Sequence, residues 1–523
     1  MAAAQNSGGA VSTRQWIALL GALLGAFMAV LDIQITNASL NDISGALGSS
    51  LDEGSWISTA YLVAEIIVIG ATGWLARVFS IKRYLLFSAI GFTACSILCA
   101  FAKNLNMMIV ARALQGLTGG ALIPLALSLV LIILPKEKQP IGMALFAMTA
   151  TFGPAIGPTL GGWLTDTYGW QWIFFINLVP GAILCTVIWM FLEPDQPQPE
   201  LLAEGDYWGL LCMAVGLGSL EFVLEEGERK DWFGNPIIAR FAVIAVVFIA
   251  LFLIIEFRRQ KPFVNLRIFR HINFTISCTV LCVLGLALYG TVYLVPLYLS
   301  QVQHYNATDI GLTLMWAGLP QLPILPLVPR LMKHIDIRII IGTGLALFAA
   351  SCFMNAYLDP DYAMEQFRLA NIIRAVGQPL IFVPLLSISN IGIAKADAGS
   401  ASALFNMTRN IGGSVGIALL STLVTQREHL HSVRLGEMVT AYDPAVQARL
   451  AQMTSTLQGR GLDPATAAAS ALKALDNAVR TQSQLQAYGD AFFVIGVVLL
   501  LSGVGLFFLP KPDLKHSAPA HPA

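Results

Sequence analysis

Residues 14–38 read RQWIALLGALLGAFMAVLDIQITNA, and the fold follows from this stretch. Arg14 is the only basic residue before an apolar run from Trp16 to Leu31. Asp32 and Asn37 follow it, with no small-residue cleavage site. That pattern predicts a retained first membrane span that also acts as the signal, rather than a cleaved leader.

The rest of the chain repeats this character. Of 523 residues, 56% are hydrophobic and 12% charged, against about 25% charged in soluble domains. A surface so poor in charge is not stable in water. The formal net charge is +0, which leaves no basic footprint for nucleic acid. All seven cysteines fall inside apolar segments, so neither a disulfide framework nor a metal site is expected.

A bilayer core about 30 Å thick needs roughly 20 apolar helical residues. That ruler places fourteen spans near 15–38, 55–76, 83–102, 106–134, 139–164, 171–192, 207–226, 236–257, 272–300, 308–330, 337–357, 367–391, 399–425 and 489–509. No segment alternates as a barrel strand does, so the spans are read as helices. With the N-terminus placed inside, the inner segments carry 17 Lys and Arg against 4 in the short outer loops. Among the inner set are Lys261, Lys395, Lys511 and Lys515. The bias predicts both termini in the cytoplasm. Glu193 to Gly205 is acidic and proline-rich and reads as a linker, and about 426–488 reads as a long outer loop folded into a helical hairpin.

The halves echo each other eight spans apart. Leu75-Ala-Arg-Val-Phe-Ser-Ile-Lys82 resembles Leu331-Met-Lys-His-Ile-Asp-Ile-Arg338, and Arg112-Ala-Leu-Gln-Gly116 resembles Arg374-Ala-Val-Gly377. Two such halves are the plan of the major facilitator fold, whose substrate site lies between them at mid-membrane. The expected fold is therefore an all-α membrane protein of two six-helix bundles plus two inserted helices. Residues 1–192 form the N-terminal bundle, 193–270 the linker and two inserted spans, and 271–425 with 489–510 the C-terminal bundle. Residues 426–488 form a periplasmic loop and 511–523 a cytoplasmic tail.

A charge at the bilayer centre costs roughly 2.5–3.5 kcal/mol on insertion scales, so each charge placed there requires a reason. They are Asp32, Glu65, Arg112, Glu221, Arg374 and Arg409. Low dielectric favours the neutral form of an acid, which suits Asp32 to take up and release protons. Glu65 is read as a second proton carrier or a cation-binding acid. Arg112 is read as holding Asp32 ionised until protonation or substrate breaks the pair. Arg374, Arg409 and Glu221 are secondary candidates, with Glu221 expected near the outer interface. In span 5, Gly153, Gly157 and Gly161 repeat every fourth residue, with Gly162 beside them. This spacing permits close helix approach, while Pro154 and Pro158 kink the helix. That segment is expected to be a sliding seam between the halves. No Gly-x4-Gly-Lys-Ser/Thr loop, His-rich ligand set or Ser-His-Asp pattern occurs, so neither ATP-driven pumping nor an enzyme is expected.

Leu31-Asp32-Ile-Gln-Ile-Thr-Asn37-Ala38, Arg112 to Gly116, Gly153 to Gly162 and Trp170-Gln-Trp-Ile-Phe-Phe-Ile-Asn177 together resemble the EmrB/QacA-type, fourteen-span branch of drug:proton antiporters. The long outer loop and Glu228 to Phe233 look more like its EmrB subgroup. Two positions depart from the family pattern: Arg77 stands where the loop after span 2 usually has an acid, and Gln171 replaces a common Arg. The resemblance implies proton-driven export of hydrophobic or amphipathic drugs across a bacterial inner membrane, with Arg112 in proton coupling and the proton gradient in place of any cofactor. It also implies an EmrA-like periplasmic adaptor and an outer-membrane channel as partners. The alternative is an exporter dedicated to one metabolite, such as a siderophore or fatty acid. Aromatic and Met side chains of spans 1, 2, 4, 5, 9 and 10 are expected to line an adaptable cavity.

Overall fold

The computed structural model describes residues 11–203, 205–259, 262, 264–394, 397–440 and 442–509. Lys261, Lys395, Lys511 and Lys515 and the tail 511–523 lie outside the described residues. Every described element is helical. Span 1 (Thr13–Ala38) starts at Ser12, whose side chain accepts from Gln15 N in a capping box. Each end of a helix leaves backbone groups that need such partners.

Helix occupies all fourteen expected positions. Among the described residues eleven helices are long and apolar enough to cross a membrane, and a twelfth joins them if bent span 5 is one unit. The other two, spans 10 and 13, differ for reasons written in their residues. Span 10 carries Pro320, Pro323, Pro326 and Pro329, each of which removes a backbone donor. It breaks into Ala307–Gly318, Gln321–Ile324 and Val328–Leu331. Span 13 runs unbroken from Ala398 to Met438 but carries Ser402, Asn406 and Arg409, all buried. Its polar side faces protein rather than lipid, as intramembrane polar groups do.

Span 1 packs on spans 4, 5 and 6, while span 9 (Ile272–Gln301) and span 14 (within Pro464–Ser502) pack on span 13. The halves meet where span 2 (Trp56–Phe79) lies along span 13 and span 5 (Gln139–Tyr168) along span 10. Of the two inserted helices, span 7 (Tyr207–Glu226) packs on span 8 (Pro236–Arg258), on span 2 and on span 13. It therefore roofs one of the two seams between the halves. Beyond span 13, Pro444–Gly459 and the start of Pro464–Ser502 pack together as a hairpin.

The echo between the halves is physical. Lys82 Nζ donates to the carbonyls of Trp189 at 2.8 Å and Leu192 at 2.6 Å, at the end of span 6. Arg338, at the matching place, donates to the carbonyl of Leu509 after span 14. The linker supplies an acid to the loop after span 2: Asp195 accepts from Ile81 N at 3.0 Å, at the start of span 3.

Span 5 bends by 43° between Pro154 and Ile156, as its prolines predict. The helix lies at the seam against span 10, but its glycine stripe does not face that seam. A Cβ at Gly153 would sit 2.8 Å from Val30 Cγ1 and one at Gly161 would sit 2.9 Å from the Ile35 carbonyl, while Gly157 abuts Gln34. All three glycines face span 1 of their own half, and Gly162 is buried beside them. Small residues state that a backbone approaches closely, not which one.

On the face where span 13 begins, the halves close on each other. A Cβ on Gly73 would lie 2.9 Å from the Gly399 carbonyl carbon. Ser402 Oγ donates to the Pro124 carbonyl at 2.8 Å, and Phe146 stacks on Phe382 at 6.4 Å. Gly73→Leu is expected to hold this sealed face apart and close the opposite one, since overpacked backbones must move. Labelling of Ile417→Cys by an impermeant maleimide applied at the opposite face checks it. Labelling should fall sharply in the Gly73→Leu background, and unchanged labelling would refute the role of this contact.

Candidate functional site

Between the halves a cavity of about 550 Å³ opens on the face opposite the seal. Its wall comes from spans 1, 2, 5, 7, 9, 10 and 13, through Gln34, Glu65, Pro158, Glu221, Tyr293, Ile310 and Ser414 among others. Span 4 does not reach it, and no Met lines it among the described residues. Tyr289 and Tyr293 of span 9 are its aromatic side chains. The expected Met- and aromatic-rich lining is thus corrected to a wall of Glu, Ser, Asn and aliphatic residues. Apolar composition alone does not separate lipid-facing from cavity-facing side chains.

Asp32 and Arg112 sit behind that wall, each 1% exposed. Arg112 Nη1 donates to Asp32 Oδ2 at 2.6 Å. Two amides complete the acid's shell, Gln115 Nε2 at 3.0 Å and Asn177 Nδ2 at 2.7 Å, both on Oδ1. The same amides reach Ser96 Oγ. The carboxylate therefore joins spans 1, 4 and 6, and its two amides tie in span 3 through Ser96. The guanidinium lies 4.2 Å from the Tyr61 ring centroid and donates through Nε to the Ile57 carbonyl at 3.3 Å. Gln115 and Asn177 lie in stretches quoted above for other reasons, and an intramembrane amide near a predicted ion pair was the signal for their role.

Glu65 is 2% exposed, lines the cavity, and its Oε1 has no hydrogen-bond partner among the described residues. It lies one turn beyond Tyr61 on span 2, so the buried pair and the cavity acid share one helix face. Arg409, 3% exposed on span 13, acts electrostatically on Glu65 and on Tyr289. Its Nε and Nη1 find no hydrogen-bond partner among the described residues. Glu221 is placed deeper than expected: it is 3% exposed, lines the cavity and accepts from Ser414 Oγ at 2.7 Å. Sequence position on span 7 gave its height roughly but not that span 7 turns this acid toward span 13.

Arg374 stands apart from this group. Its Nη1 donates to Thr291 Oγ1 at 2.6 Å, from span 12 to span 9. This copies the Arg112–Asp32 reach from span 4 to span 1 with the acid replaced by a hydroxyl. A void of about 10 Å³ beside it is lined by Pro154, Gln321 and Gln378, room for roughly one water. Among the described residues no group of three or more His, Cys, Asp and Glu is arranged to hold a metal.

The network predicts an asymmetry. Arg112→Ala strands a buried carboxylate, and breaking such a pair from one side costs about 3–5 kcal/mol. Melting of the purified protein should drop markedly for Arg112→Ala and recover in Arg112→Ala/Asp32→Asn. Equal melting of the single and double variants would contradict the pairing.

Residues 22–417 match the profile of the Major Facilitator Superfamily. The colistin resistance protein EmrB of Acinetobacter baumannii is 32% identical over 498 residues, 95% of this chain and 96% of that one. The multidrug export protein EmrB of Escherichia coli K12 is 33% identical over 491 residues, 94% of each chain. In fold, the crystal structure of the human organic anion transporter MFSD10 (TETRAN) overlays with a TM-score of 0.58 at 12% identity, covering 94% of this chain and 99% of that one. The chain is therefore a multi-pass membrane transporter of the major facilitator superfamily, an EmrB-like member.

Proposed function

We propose that this transporter exports hydrophobic or amphipathic drugs and toxic small molecules by alternating access, driven by protons moving the other way. The observation that carries the reading is the cavity itself: about 550 Å³, set between two halves, open at one face, with Glu65 in its wall keeping one oxygen without a hydrogen-bond partner among the described residues. A site of a few hundred Å³ suits drug-sized ligands. The names of the relatives, a multidrug export protein and a colistin resistance protein, point the same way.

In this reading protons from the open face reach Glu65 first, because Glu65 lines the cavity and Asp32 does not. Protonation of Asp32 follows when the Asp32–Arg112 contact opens, which frees span 1 from span 4 and lets the halves rock. Substrate and proton compete because the same conformational change serves both. Only a ligand with different affinity for the two states shifts such an equilibrium. The proton gradient is the energy source and no cofactor takes part. Carboxylates Glu65, Glu221, Glu225, Glu226 and Glu228 line the cavity against one cation, Arg229, which disfavours fatty acids and other anionic metabolites as dedicated cargo.

We place the chain in a bacterial inner membrane, with the sealed face toward the cytoplasm and the cavity toward the periplasm. The hairpin of Pro444–Gly459 and the start of Pro464–Ser502 then stands where an EmrA-like adaptor and an outer-membrane channel would receive the cargo.

The test is efflux of a fluorescent lipophilic dye from energised cells. Wild-type efflux should be strong and should collapse with a protonophore, and it should be lost in Asp32→Asn and reduced in Glu65→Gln. A wild-type protein present in the membrane that moves no dye would overturn the proposal.

A further inference from the structure

The cavity floor carries a charge imbalance that the proton-coupling residues do not absorb. Asp32 and Arg112 neutralise each other at 2.6 Å. Higher on the wall, Glu226 is met by Lys230 at 3.3 Å and by Arg229 at 3.9 Å, and Arg229 also acts on Glu225. What remains at the floor is Glu65 and Glu221 against Arg409. Both acids line the cavity and both are at least nine-tenths buried, and each keeps one carboxylate oxygen, Glu65 Oε1 and Glu221 Oε2, with no hydrogen-bond partner among the described residues. Glu221 also feels the charge of Glu65 directly. The two acids come from different elements, span 2 of the N-terminal half and inserted span 7. A cavity floor with two buried carboxylates and one guanidinium attracts one further positive charge.

We propose that Glu65 and Glu221 form a single site for the positively charged head of a cationic amphiphile, so that the inserted helix pair supplies a substrate-contacting residue. The aliphatic wall then takes the apolar body, and the rings of Tyr289 and Tyr293, which line the same cavity, offer π faces to the charge. Span 7 is fixed for this task from both sides. Ser55 Oγ and Thr59 Oγ1 of the span 2 segment donate to Glu226 at 2.9 and 3.3 Å, and Trp56 stacks on Phe222 at 5.2 Å. Ser414 of span 13 donates to Glu221 at 2.7 Å, and beyond the end of span 7 Trp232 Nε1 donates to Thr422 Oγ1 at 2.9 Å. The inserted helices thus bridge the halves at the mouth and aim an acid into the floor. This inference rests on the cavity being the drug site.

The test uses purified full-length protein and two probes, ethidium as the cation and Nile red as the uncharged dye, each followed by fluorescence anisotropy. Glu221→Gln is expected to lower the ratio of ethidium to Nile red affinity about tenfold, the scale of one lost charged contact. Glu65→Gln should do the same, and the double variant no more than the stronger single, because the acids act as a unit. Glu221→Asp should restore part of the ratio, which separates the charge from a packing defect. A ratio unchanged in Glu221→Gln, with both dyes still bound, overturns the inference and leaves the efflux reading intact. Failure of the wild type to bind either dye overturns the efflux reading and this one with it. Potassium that displaces ethidium only when Glu221 is present would show a site for inorganic cations and overturn the assignment to an organic head group.

Discussion

A buried ion pair, Asp32 with Arg112, governs how the N-terminal half holds together. In a low-dielectric interior neither charge is tolerable alone, so spans 1 and 4 are bound to each other for as long as both are ionised. The remaining lone pairs of the acid are taken by amides of Gln115 and Asn177, which extends the constraint to spans 3 and 6. A network so fully satisfied holds these spans in one arrangement. Its copy in the other half, Arg374 on Thr291, has no acid to protonate. The repeat keeps the geometry in both halves and confines this titratable pair to one.

The cavity lies on the other side of a wall from the pair and follows a different logic. Its acids are not saturated by hydrogen bonds, and they are exposed to whatever enters. Separation of the two sites along one face of span 2, through Ile57, Tyr61 and Glu65, gives a short physical path between cargo and coupling. The inserted spans modify the cavity without disturbing the pair, since they touch spans 2 and 13 and not span 1 or 4 in any extensive way. Extra helices in a two-half scaffold can therefore change what is bound while leaving the coupling apparatus as it was.

Much of this was readable in the residues. The run ending at Asp32 marked span 1, and charge in a span demanded a partner, so the Asp32–Arg112 pairing followed. The proline pair of span 5 announced its bend. What was not readable is direction around a helix axis. The glycine stripe of span 5 was placed between the halves, yet it faces span 1, because spacing specifies distance and not partner. Glu221 was set near the interface, yet it lies against Ser414, because an inserted helix has no repeat copy from which to infer its neighbours. The broken span 10 was legible in four prolines three residues apart, but the apolar ruler passed over them. Span 13 is polar on the side it buries, and only the packing shows that this side never meets lipid.

Proton exchange on ligand binding tests the central claim most directly. Purified protein in weakly buffered detergent near neutral pH, with a pH-indicator dye in solution, is mixed with a lipophilic substrate. Competition between substrate and protons predicts a net release of protons from the wild type that is lost in Asp32→Asn/Glu65→Gln. Substrate that binds the wild type fully while the indicator stays still would contradict it.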